Sequence, residues 1–358
     1  MRVRDFDFKL PPQLIAQDPL PSRSDARLLR LDRRTGSLTH AVVRDLPAKL
    51  TAGDLLVVND TQVFPARLIG RRVRGGGPVE CLLIARVASE EEAAGDSSNG
   101  ECWEALVRPG NKIKTGGRLV FNGQTSLEGE MLDGRPSGRR VVRLRTSDGS
   151  SLDAAVDRIG RVPLPPYIRR SDSYSDRERY QTVFAARRGS IAAPTAGLHF
   201  DEPLLAAFTA RGVEVVRVTL HVGYGTFQPV RVDCVEDHRL DPERYEVDVS
   251  SAAAINRALD DGRRVIAVGT TTTRALEAVA RDHGGRVCAG AGETDLFIHP
   301  GFRFQVVQGL VTNFHLPRSS LLMLVAAFAG SDAVMRAYRI AVAARYRFYS
   351  YGDAMLVL

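Results

Sequence analysis

The feature that most constrains the fold of this chain is a change of pattern between about residues 63 and 153. Stretches such as "VECLLIARV", "CWEALVRPG" and "RLVFNG" alternate apolar and polar residues, and glycine-rich or polar turns separate them. This spacing, without a convincing helical period, is typical of an all-β module. The chain on both sides of it carries strand and helix patterns in alternation, which indicates an α/β fold there.

The segment before residue 63 is too short to bury a core of its own, so it should join the segment after the β module. We therefore expect a discontinuous α/β domain, residues 1–62 and 154–358, that carries an inserted all-β, barrel-like domain, residues 63–153. The cleft between two such domains is the default expectation for a ligand site. A polar, acidic stretch of low complexity, residues 88–101, is interpreted as a flexible loop of the β domain.

Several predicted elements of the α/β domain end in polar residues. The apolar run Leu55–Val58 predicts a buried strand that ends just before Asp60. The stretch "VEVVRVTLHVG" predicts a strand with His221 at its end, and Asp201 is expected to cap the helix that precedes this strand. Thr270–Thr273 follow the predicted strand "RVIAVGT" and lead into a helix. Such a turn can present N–H groups and hydroxyls to an anion or a sugar, although threonine also caps helices without any ligand.

Composition limits the partners and the compartment. Lysine and arginine outnumber aspartate and glutamate by 49 to 42, which favours a polyanionic partner, although a bias in genome composition explains the arginines equally well. No apolar run is long enough to span a bilayer, and the first residues lack the apolar stretch of a signal peptide. We expect a cytoplasmic protein that does not contact a membrane. Four widely spaced cysteines predict reduced, structural thiols and no metal cluster: Cys81, Cys102, Cys234 and Cys288.

Three histidines share a local design. His199 in "PTAGLHF", His221 in "LHVGYGTF" and His315 in "TNFHLP" each lie beside glycine, proline or asparagine, where the chain leaves a regular element. Any one of them alone is better interpreted as structural. Together they indicate proton transfer near neutral pH. They form neither an HxH nor an HExxH pattern, so we expect no metal among them.

Three carboxylates occupy comparable positions: Asp60, Glu277 and Asp295. Each would suit ribose hydroxyls or a cation. For Glu277, an ion pair with Arg274, three residues earlier on the same predicted helix, is an equally good explanation.

Arginines are concentrated on two predicted strands of the β module. The strand "RLIGRRVR" carries Arg67, Arg71, Arg72 and Arg74, and one face of "GRRVVRLR" carries Arg139, Arg143 and Arg145. Arginine matches the geometry of phosphate, so this sheet is a plausible track for an RNA backbone, while a solvated strand face is the plainer alternative. The terminal stretch "RYRFYSYGD" adds aromatic residues that could stack on a base, although packing is their more common role: Tyr346, Phe348, Tyr349 and Tyr351.

Long and unusual stretches recur through nearly the whole chain: "FDFKLPPQLIAQDPLPSRSDARLL", "VVNDTQVFPARL", "GRVPLPPYI", "YQTVFA", "GSIAAPTAGLHF", "HVGYGTFQPV", "VGTTTTRALE", "TDLFIHPGF", "LVTNFHLPRSSLLMLVAAFAG" and "YRFYSYGDAML". In this order they closely resemble the S-adenosylmethionine:tRNA ribosyltransferase-isomerase family of queuosine biosynthesis. The resemblance implies a discontinuous α/β domain with an inserted β-barrel, in agreement with the division above.

The resemblance also implies a reaction. The ribosyl part of S-adenosylmethionine moves to 7-aminomethyl-7-deazaguanine at the wobble position of tRNA and rearranges, which gives epoxyqueuosine-tRNA and releases adenine and methionine. S-adenosylmethionine is then a cosubstrate, with no tightly bound cofactor and no metal. The partners would be this cosubstrate and tRNA, and we expect a monomer.

Residue roles follow as a hypothesis. The proton carriers would be His199, His221, His315 and Asp60. The groups that hold the cosubstrate would be Thr270, Thr271, Thr272, Arg274, Glu277 and Asn313. The groups that hold tRNA would be Arg67, Arg71, Arg72, Arg139, Arg143 and Arg145. The stretch "AAPTAGLHFD" would break regular structure to bring His199 and the backbone into the substrate cleft.

One departure from the family pattern is visible. Where the family often has HxMHxE, this chain reads "HRLDPE", so that His238 and Glu243 match, while Leu240 replaces methionine and Asp241 replaces the second histidine. This puts acid-base work at the second position in doubt. Two other classes stay open. An RNA methyltransferase is disfavoured by the missing glycine-rich turn after a first strand, and a non-catalytic RNA-binding module leaves the three histidines unexplained.

Overall fold

The structure is a computed structural model that describes residues 1–87, 100–121, 127–134, 138–227 and 229–358. Its strands are β1 (Arg27–Leu31), β2 (Leu38–Val42), β3 (Leu55–Asn59), β4 (Thr61–Val63), β5 (Arg67–Arg72), β6 (Pro78–Val87), β7 (Glu101–Arg108), β8 (Arg118–Phe121), β9 (Leu127–Gly134), β10 (Arg139–Thr146), β11 (Arg187–Ser190), β12 (Glu214–Leu220), β13 (Glu243–Val247), β14 (Val265–Val268), β15 (Gly290–Thr294), β16 (Gly309–Asn313) and β17 (Ala354–Val357). Its α-helices are α1 (Leu46–Lys49), α2 (Leu152–Ile159), α3 (Asp176–Arg179), α4 (Glu202–Ala210), α5 (Val249–Asp260), α6 (Thr270–Asp282), α7 (Ser320–Ala329) and α8 (Ser331–Ala343).

The described residues divide into two compact units. The first comprises residues 1–62, 165–170 and 179–358, and the second comprises residues 63–164 and 171–178. The predicted boundary at residue 153 differs from this division, because α2 packs on β10 and stays with the second unit. The apolar side of α2, which includes Ala155 and Val156, is buried in that contact. The predicted loop 88–101 falls mostly on residues 88–99, which lie outside the described residues.

The first unit is built on a mixed sheet, whose order among the described strands is β15-β13-β12-β3-β14-β16-β17-β1-β2. The central neighbours β12, β3, β14 and β16 run parallel. Leu55 and Val57 of β3 pack into the core formed with α5 to α8, whereas Leu56 and Val58 pack into the core formed with α1 and α4. Because both faces of the sheet are covered, this strand is an unbroken apolar run.

The helix α4 begins at the cap that the sequence predicts. The carboxylate of Asp201 accepts a hydrogen bond from the N–H of Leu204 at 3.0 Å and caps α4. Within the described part of the chain, no single helix is long and apolar enough to cross a membrane. The pair α7 and α8 would reach that length and composition together, but the two helices are bent by 118° at their junction.

The second unit is a closed antiparallel barrel with the strand order β10-β7-β6-β5-β8-β9 among the described residues. Closure removes the exposed edges that an open sheet of short strands would leave. Side chains such as Leu68, Leu83, Phe121 and Leu144 fill its interior. The predicted fold class, a discontinuous α/β domain with an inserted β-barrel, is confirmed.

Candidate functional site

The carboxyl ends of the four parallel strands meet at one edge of the large sheet. Directly after these ends come His221 (β12), Asp60 (β3), the Thr270 turn (β14) and His315, two residues beyond β16. In open α/β sheets, ligands bind at this edge. The tertiary structure therefore brings together residues that the sequence marked at four separate strand ends.

A pocket of about 510 Å³, measured with its open mouth, lies at this edge. Its lining includes four predicted site residues: Thr270, Thr271, Asn313 and His315. Residues 193–196, which belong to the irregular stretch "AAPTAGLHFD", form another part of the wall. Further lining residues are Tyr167, Val222, Gly269, Thr312, Leu321, Tyr349 and Ser350. The pocket combines an apolar wall with a few polar groups, which is the usual composition of a small-molecule site.

The first turn of α6 faces this pocket. Gly269, with φ of +97°, turns the chain sharply from β14 into the helix in a conformation that favours glycine. The first N–H groups of a helix have no partner within the helix, and they carry partial positive charge. The hydroxyl of Thr271 accepts a hydrogen bond from the Asn59 amide at 3.3 Å, while the hydroxyl of Thr272 donates to the carbonyl of Val268 at 2.7 Å. Thr270 and Thr271 are thus presented to the pocket, and Thr272 is turned into the helix.

His315 lies in the wall of the pocket and is buried. Its Nε2 is 3.0 Å from the hydroxyl of Thr312, and its backbone N–H donates to the Tyr338 hydroxyl at 3.1 Å. Burial lowers the pKa of His315 to about 3. The imidazole is therefore neutral at physiological pH and can accept a proton.

His199 ends a short 3-10 helix, Thr195–His199, and lines a second, smaller pocket of about 290 Å³. Burial, with the charge of Arg23 as a smaller contribution, lowers the pKa of His199 to about 4, and the Asn313 side chain acts in the opposite direction. Its Nε2 has no hydrogen-bond partner among the described residues. The segment thus reaches the larger pocket through Ala193–Ala196, whereas His199 faces the smaller one.

His221 and Asp60 lie beside the larger pocket, which Val222 lines. The Nδ1 of His221 is 2.8 Å from the Thr61 hydroxyl, and burial lowers the pKa of the half-buried imidazole. The carboxylate of Asp60 accepts a hydrogen bond from Thr219 at 2.6 Å. Burial raises the pKa of Asp60, and the Thr219 hydrogen bond opposes this effect.

Arg274 and Glu277 point to structural partners inside the unit. Arg274 forms a buried ion pair with Glu243. Glu277 accepts hydrogen bonds from the backbone N–H groups of residues 305–307, at 2.8 to 3.0 Å. The pair with Arg274, one of the alternatives that the sequence left open for Glu277, is not formed, since Arg274 pairs with Glu243. Asp295 is exposed after β15.

The segment that departs from the family pattern supports the loop after β12. The carboxylate of Glu243 accepts a hydrogen bond from the N–H of Gly223 at 2.8 Å, and the Cα of Gly225 approaches Asp241 so closely that an added Cβ would lie 3.1 Å from its carboxylate. His238 is half-buried and packs edge-on against Phe297.

Sequence reasoning missed several residues of the larger pocket, among them Tyr167 and Ser350, and left Tyr349 undecided. Tyr167 and Ser350, which were not predicted, share a hydrogen bond of 2.5 Å between their hydroxyls. Tyr349 has φ of +74°, a strained conformation for a tyrosine, and its carbonyl accepts a hydrogen bond from Asn313 at 3.0 Å. The aromatic run near the C-terminus was the one sequence signal for these pocket residues. Only part of this run lies at the pocket: Tyr349 lines it, while Tyr346 and Phe348 are core residues.

The arginines of the barrel are interleaved with glutamates. Arg67 pairs with Glu80 at 2.9 Å, and Arg139 pairs with Glu104 at 2.9 Å. Arg143 lies 4.0 Å from Glu130 in a surface groove that Arg145 also lines. Arg71 and Arg145 are exposed and make no ion pair within the described residues, and Arg72 is half-buried. The barrel surface thus carries positive and negative side chains side by side.

The described residues contain no group of three or more His, Cys, Asp or Glu side chains arranged to hold a metal ion. The four cysteines are free thiols: Cys81 and Cys102 are buried, Cys234 is half-buried and Cys288 is exposed.

Comparisons with known proteins cover the whole chain. The model of the family described as "Queuosine biosynthesis protein" matches residues 3–357. A curated protein of Anaeromyxobacter sp., named S-adenosylmethionine:tRNA ribosyltransferase-isomerase, is 53% identical over 357 residues, which cover 100% of this chain and 99% of that protein. Proteins of the same name from Syntrophotalea carbinolica and Desulfitobacterium hafniense are 50% and 48% identical over the full length of both chains.

A solved structure is similar as well. The crystal structure of S-adenosylmethionine tRNA ribosyltransferase from Thermotoga maritima is 38% identical and covers 99% of this chain and 100% of its own, with a TM-score of 0.55.

Proposed function

This chain belongs to the queuosine biosynthesis protein family, and we propose on that premise that its larger pocket carries out the reaction of an S-adenosylmethionine:tRNA ribosyltransferase-isomerase. The enzyme transfers the ribosyl moiety of S-adenosylmethionine to 7-aminomethyl-7-deazaguanine at the tRNA wobble position and isomerises it. The products are epoxyqueuosine-tRNA, adenine and methionine. The observation that carries this assignment is the convergence of four strand ends on one pocket in a chain that matches the family from end to end.

The chemistry requires at least two proton carriers. The sulfonium of the cosubstrate acidifies the hydrogens on the adjacent 5′ carbon of the ribose, so a modest base can begin the reaction. Adenine leaves easily only when it is protonated or hydrogen-bonded. The attacking amine must also be neutral.

His315 is the first candidate for this base, because it lines the pocket and burial keeps its imidazole neutral. A histidinium would repel the positive sulfonium, whereas a neutral imidazole does not. Bound substrate also displaces water from the pocket, which strengthens the interaction between the imidazole and the reacting carbon.

His221 and Asp60 form a second group of proton carriers at the neighbouring strand ends. Burial raises the pKa of Asp60, which favours the protonated form of its carboxyl group, and the Nδ1 of His221 is held through the Thr61 hydroxyl. His199, which was predicted as catalytic, acts on this pocket only through Asn313 and is assigned a positioning role.

The first turn of α6 holds the cosubstrate. Its free N–H groups and the hydroxyls of Thr270 and Thr271 suit the carboxylate of the methionine part. Tyr349 and Tyr167 provide aromatic surface for adenine. Arg274, Glu277 and Thr272 support the same helix from inside, since their partners belong to the protein itself.

The barrel contributes to tRNA binding through its exposed arginines. The wobble base lies in a single-stranded loop, which can be splayed into a pocket at low cost. Arg71 and Arg145 are the best candidates for phosphate contacts, because they have no carboxylate partner within the described residues. We infer that the enzyme is cytoplasmic and acts as a monomer.

The test incubates the purified protein with S-adenosylmethionine and tRNA that carries 7-aminomethyl-7-deazaguanine. We expect equal release of adenine and methionine, and a nucleoside whose mass has increased by the epoxycyclopentane group. Transfer of a methyl group alone, or no consumption of the cosubstrate by folded protein, would overturn the assignment.

A matched pair of variants then tests the site. His315→Gln should lower the single-turnover rate about 10²- to 10⁴-fold, the usual contribution of a proton-transfer group. His283→Gln, at the exposed far end of α6, should leave the rate unchanged. Equal rates in both variants would remove His315 from the mechanism.

A further inference from the structure

The smaller pocket lies beside the larger one in the first unit, and Ser350 lines both. Its polar lining comes from Arg23, Arg179, His199 and Ser350, with Tyr351, and its apolar lining includes Leu20 and Leu198. None of its described lining residues is a carboxylate. The pocket is therefore positively charged, although it adjoins a site for a cation.

Backbone carbonyls, which carry no net charge, hold the guanidinium of Arg179 in place. Its guanidinium donates to the carbonyls of Leu20 at 2.6 Å and Pro21 at 2.9 Å, while its Nε is buried and has no partner among the described residues. Carbonyl contacts orient the guanidinium but do not neutralise it. Arg23 donates to the carbonyl of Leu198 at 3.1 Å and adds a second positive charge.

His199 adds an unsatisfied group to this wall. It is only 4% exposed, and its Nε2 has no partner within the described part of the chain. A buried polar atom without a partner is unfavourable, and a ligand that completes its hydrogen bond is one reason for such an atom to be retained. A neutral histidine can donate one hydrogen bond from Nε2 without repelling either arginine.

We propose that this smaller pocket is a phosphate subsite, in which Arg179, Arg23 and His199 hold a phosphodiester of the tRNA next to the modified nucleotide. The proposal rests on the function assigned above and adds a ligand contact to it. Each nucleotide carries a phosphate joined to the ribose that bears its base. A base held in the larger pocket therefore brings a phosphate close to its wall, where Ser350 and Asn313 separate it from the smaller pocket.

The experiment measures tRNA binding directly, as Kd at several salt concentrations, and turnover separately. Arg179→Gln should weaken tRNA binding about tenfold and lower the slope of log Kd against log salt by about one, with the KM for S-adenosylmethionine unchanged. Arg179→Lys keeps the charge and should retain the salt slope. Arg211→Gln, an exposed arginine at the end of α4, is the control and should match the wild type.

The outcomes separate the possible sources of the effect. If Arg179 only anchors residues 20 and 21, the Gln and Lys variants will be equally impaired with an unchanged salt slope, which would overturn the proposal. An increased KM for S-adenosylmethionine instead of a weaker tRNA complex would also overturn it, because the pocket would then hold the cosubstrate. Inorganic phosphate should compete with tRNA in the wild type and much less in Arg179→Gln; equal competition in both would place the anion elsewhere.

Failure of the proposed function would give a different result from failure of the phosphate subsite. In that case the wild type would not turn over, while the binding measurements on the variants would still report on the phosphate subsite.

Discussion

The carboxyl edge of the large sheet and the outer surface of the barrel both carry polar residues. The two regions differ in the charge, the burial and the pairing of these residues. On the barrel, charges are numerous and many arginines are matched by a glutamate, as in the pairs Arg67 with Glu80 and Arg139 with Glu104. In the larger pocket at the sheet edge, none of the described lining residues is an arginine, lysine, aspartate or glutamate. The buried imidazoles of His199 and His315 are neutral, and Nε2 of His199 has no partner within the described residues.

The difference separates two uses of polarity. Paired surface charges keep a β-barrel soluble and contribute little to stability. Buried polar groups with shifted pKa values or missing partners lower stability, and they concentrate at functional sites. The sheet edge has the second character, so it is the part of the molecule where chemistry is expected.

The largest effect should come from the buried ion pair that supports this edge. Glu243→Gln leaves Arg274 buried without a counter-charge and should lower the free energy of unfolding by about 3–5 kcal/mol. Glu128→Gln breaks the exposed pair with Arg118 on the barrel and should change it by less than about 1 kcal/mol. Urea titration of each variant measures both values.

A double variant completes this test. Adding Arg274→Met to Glu243→Gln removes the uncompensated charge and should recover part of the lost stability. If Glu243→Gln and Glu128→Gln lower the free energy of unfolding by the same amount, the proposed difference between the sheet edge and the barrel is wrong.

The pH dependence of stability should come next in size. The pKa of His315 is about 3 and that of His199 is about 4 in the folded protein, below the unfolded value near 6.5. The unfolded state therefore binds more protons below pH 6.5, and stability falls as the pH is lowered from there. Each histidine should contribute up to about 1.4 kcal/mol per pH unit, a slope that is reached about one pH unit below the unfolded pKa.

Urea titrations between pH 7 and 5 on the wild type and on His199→Gln with His315→Gln measure this dependence. An equally steep loss of stability in the double variant would show that the two histidines are not its source.

The smallest effects should be those of single barrel arginines on tRNA binding. Arg145→Gln removes an exposed charge and should weaken tRNA binding by less than about tenfold, with a decrease of about one in the salt slope. The charge of Arg139 is already matched by Glu104, so Arg139→Gln should change the salt slope of tRNA binding less than Arg145→Gln does. Kd values at several salt concentrations test this order, and the reverse order would mean that the paired arginines hold the RNA.

Much of the fold could be predicted because the signals are local. Alternation with frequent turns indicated the barrel, and the apolar run of β3 indicated a strand covered on both faces. The strand ends at Asp60, His221 and Thr270 were equally visible, and parallel pairing brings such ends to one edge. The residues of the larger pocket were therefore partly predictable.

What could not be predicted were contacts between distant segments. Glu277 accepts its hydrogen bonds from residues 305–307, which lie 28 to 30 positions later in the chain. Tyr167 reaches the pocket from a segment that lies, in the sequence, between the two parts of the barrel unit. No local pattern reports such partners. The second domain boundary differed for the same reason, since α2 is an ordinary amphipathic helix whose packing on β10 decides its unit.

The sequence by itself determined which elements form and where the chain leaves them, because helix and strand periods, caps and turns act over a few residues. Only the tertiary structure decided which polar groups are satisfied. It matched Arg139 with Glu104, 35 positions away, and left Nε2 of His199 facing a pocket that residues from four separate segments complete. Pairing depends on distances between remote residues, and those distances exist only once the chain has packed.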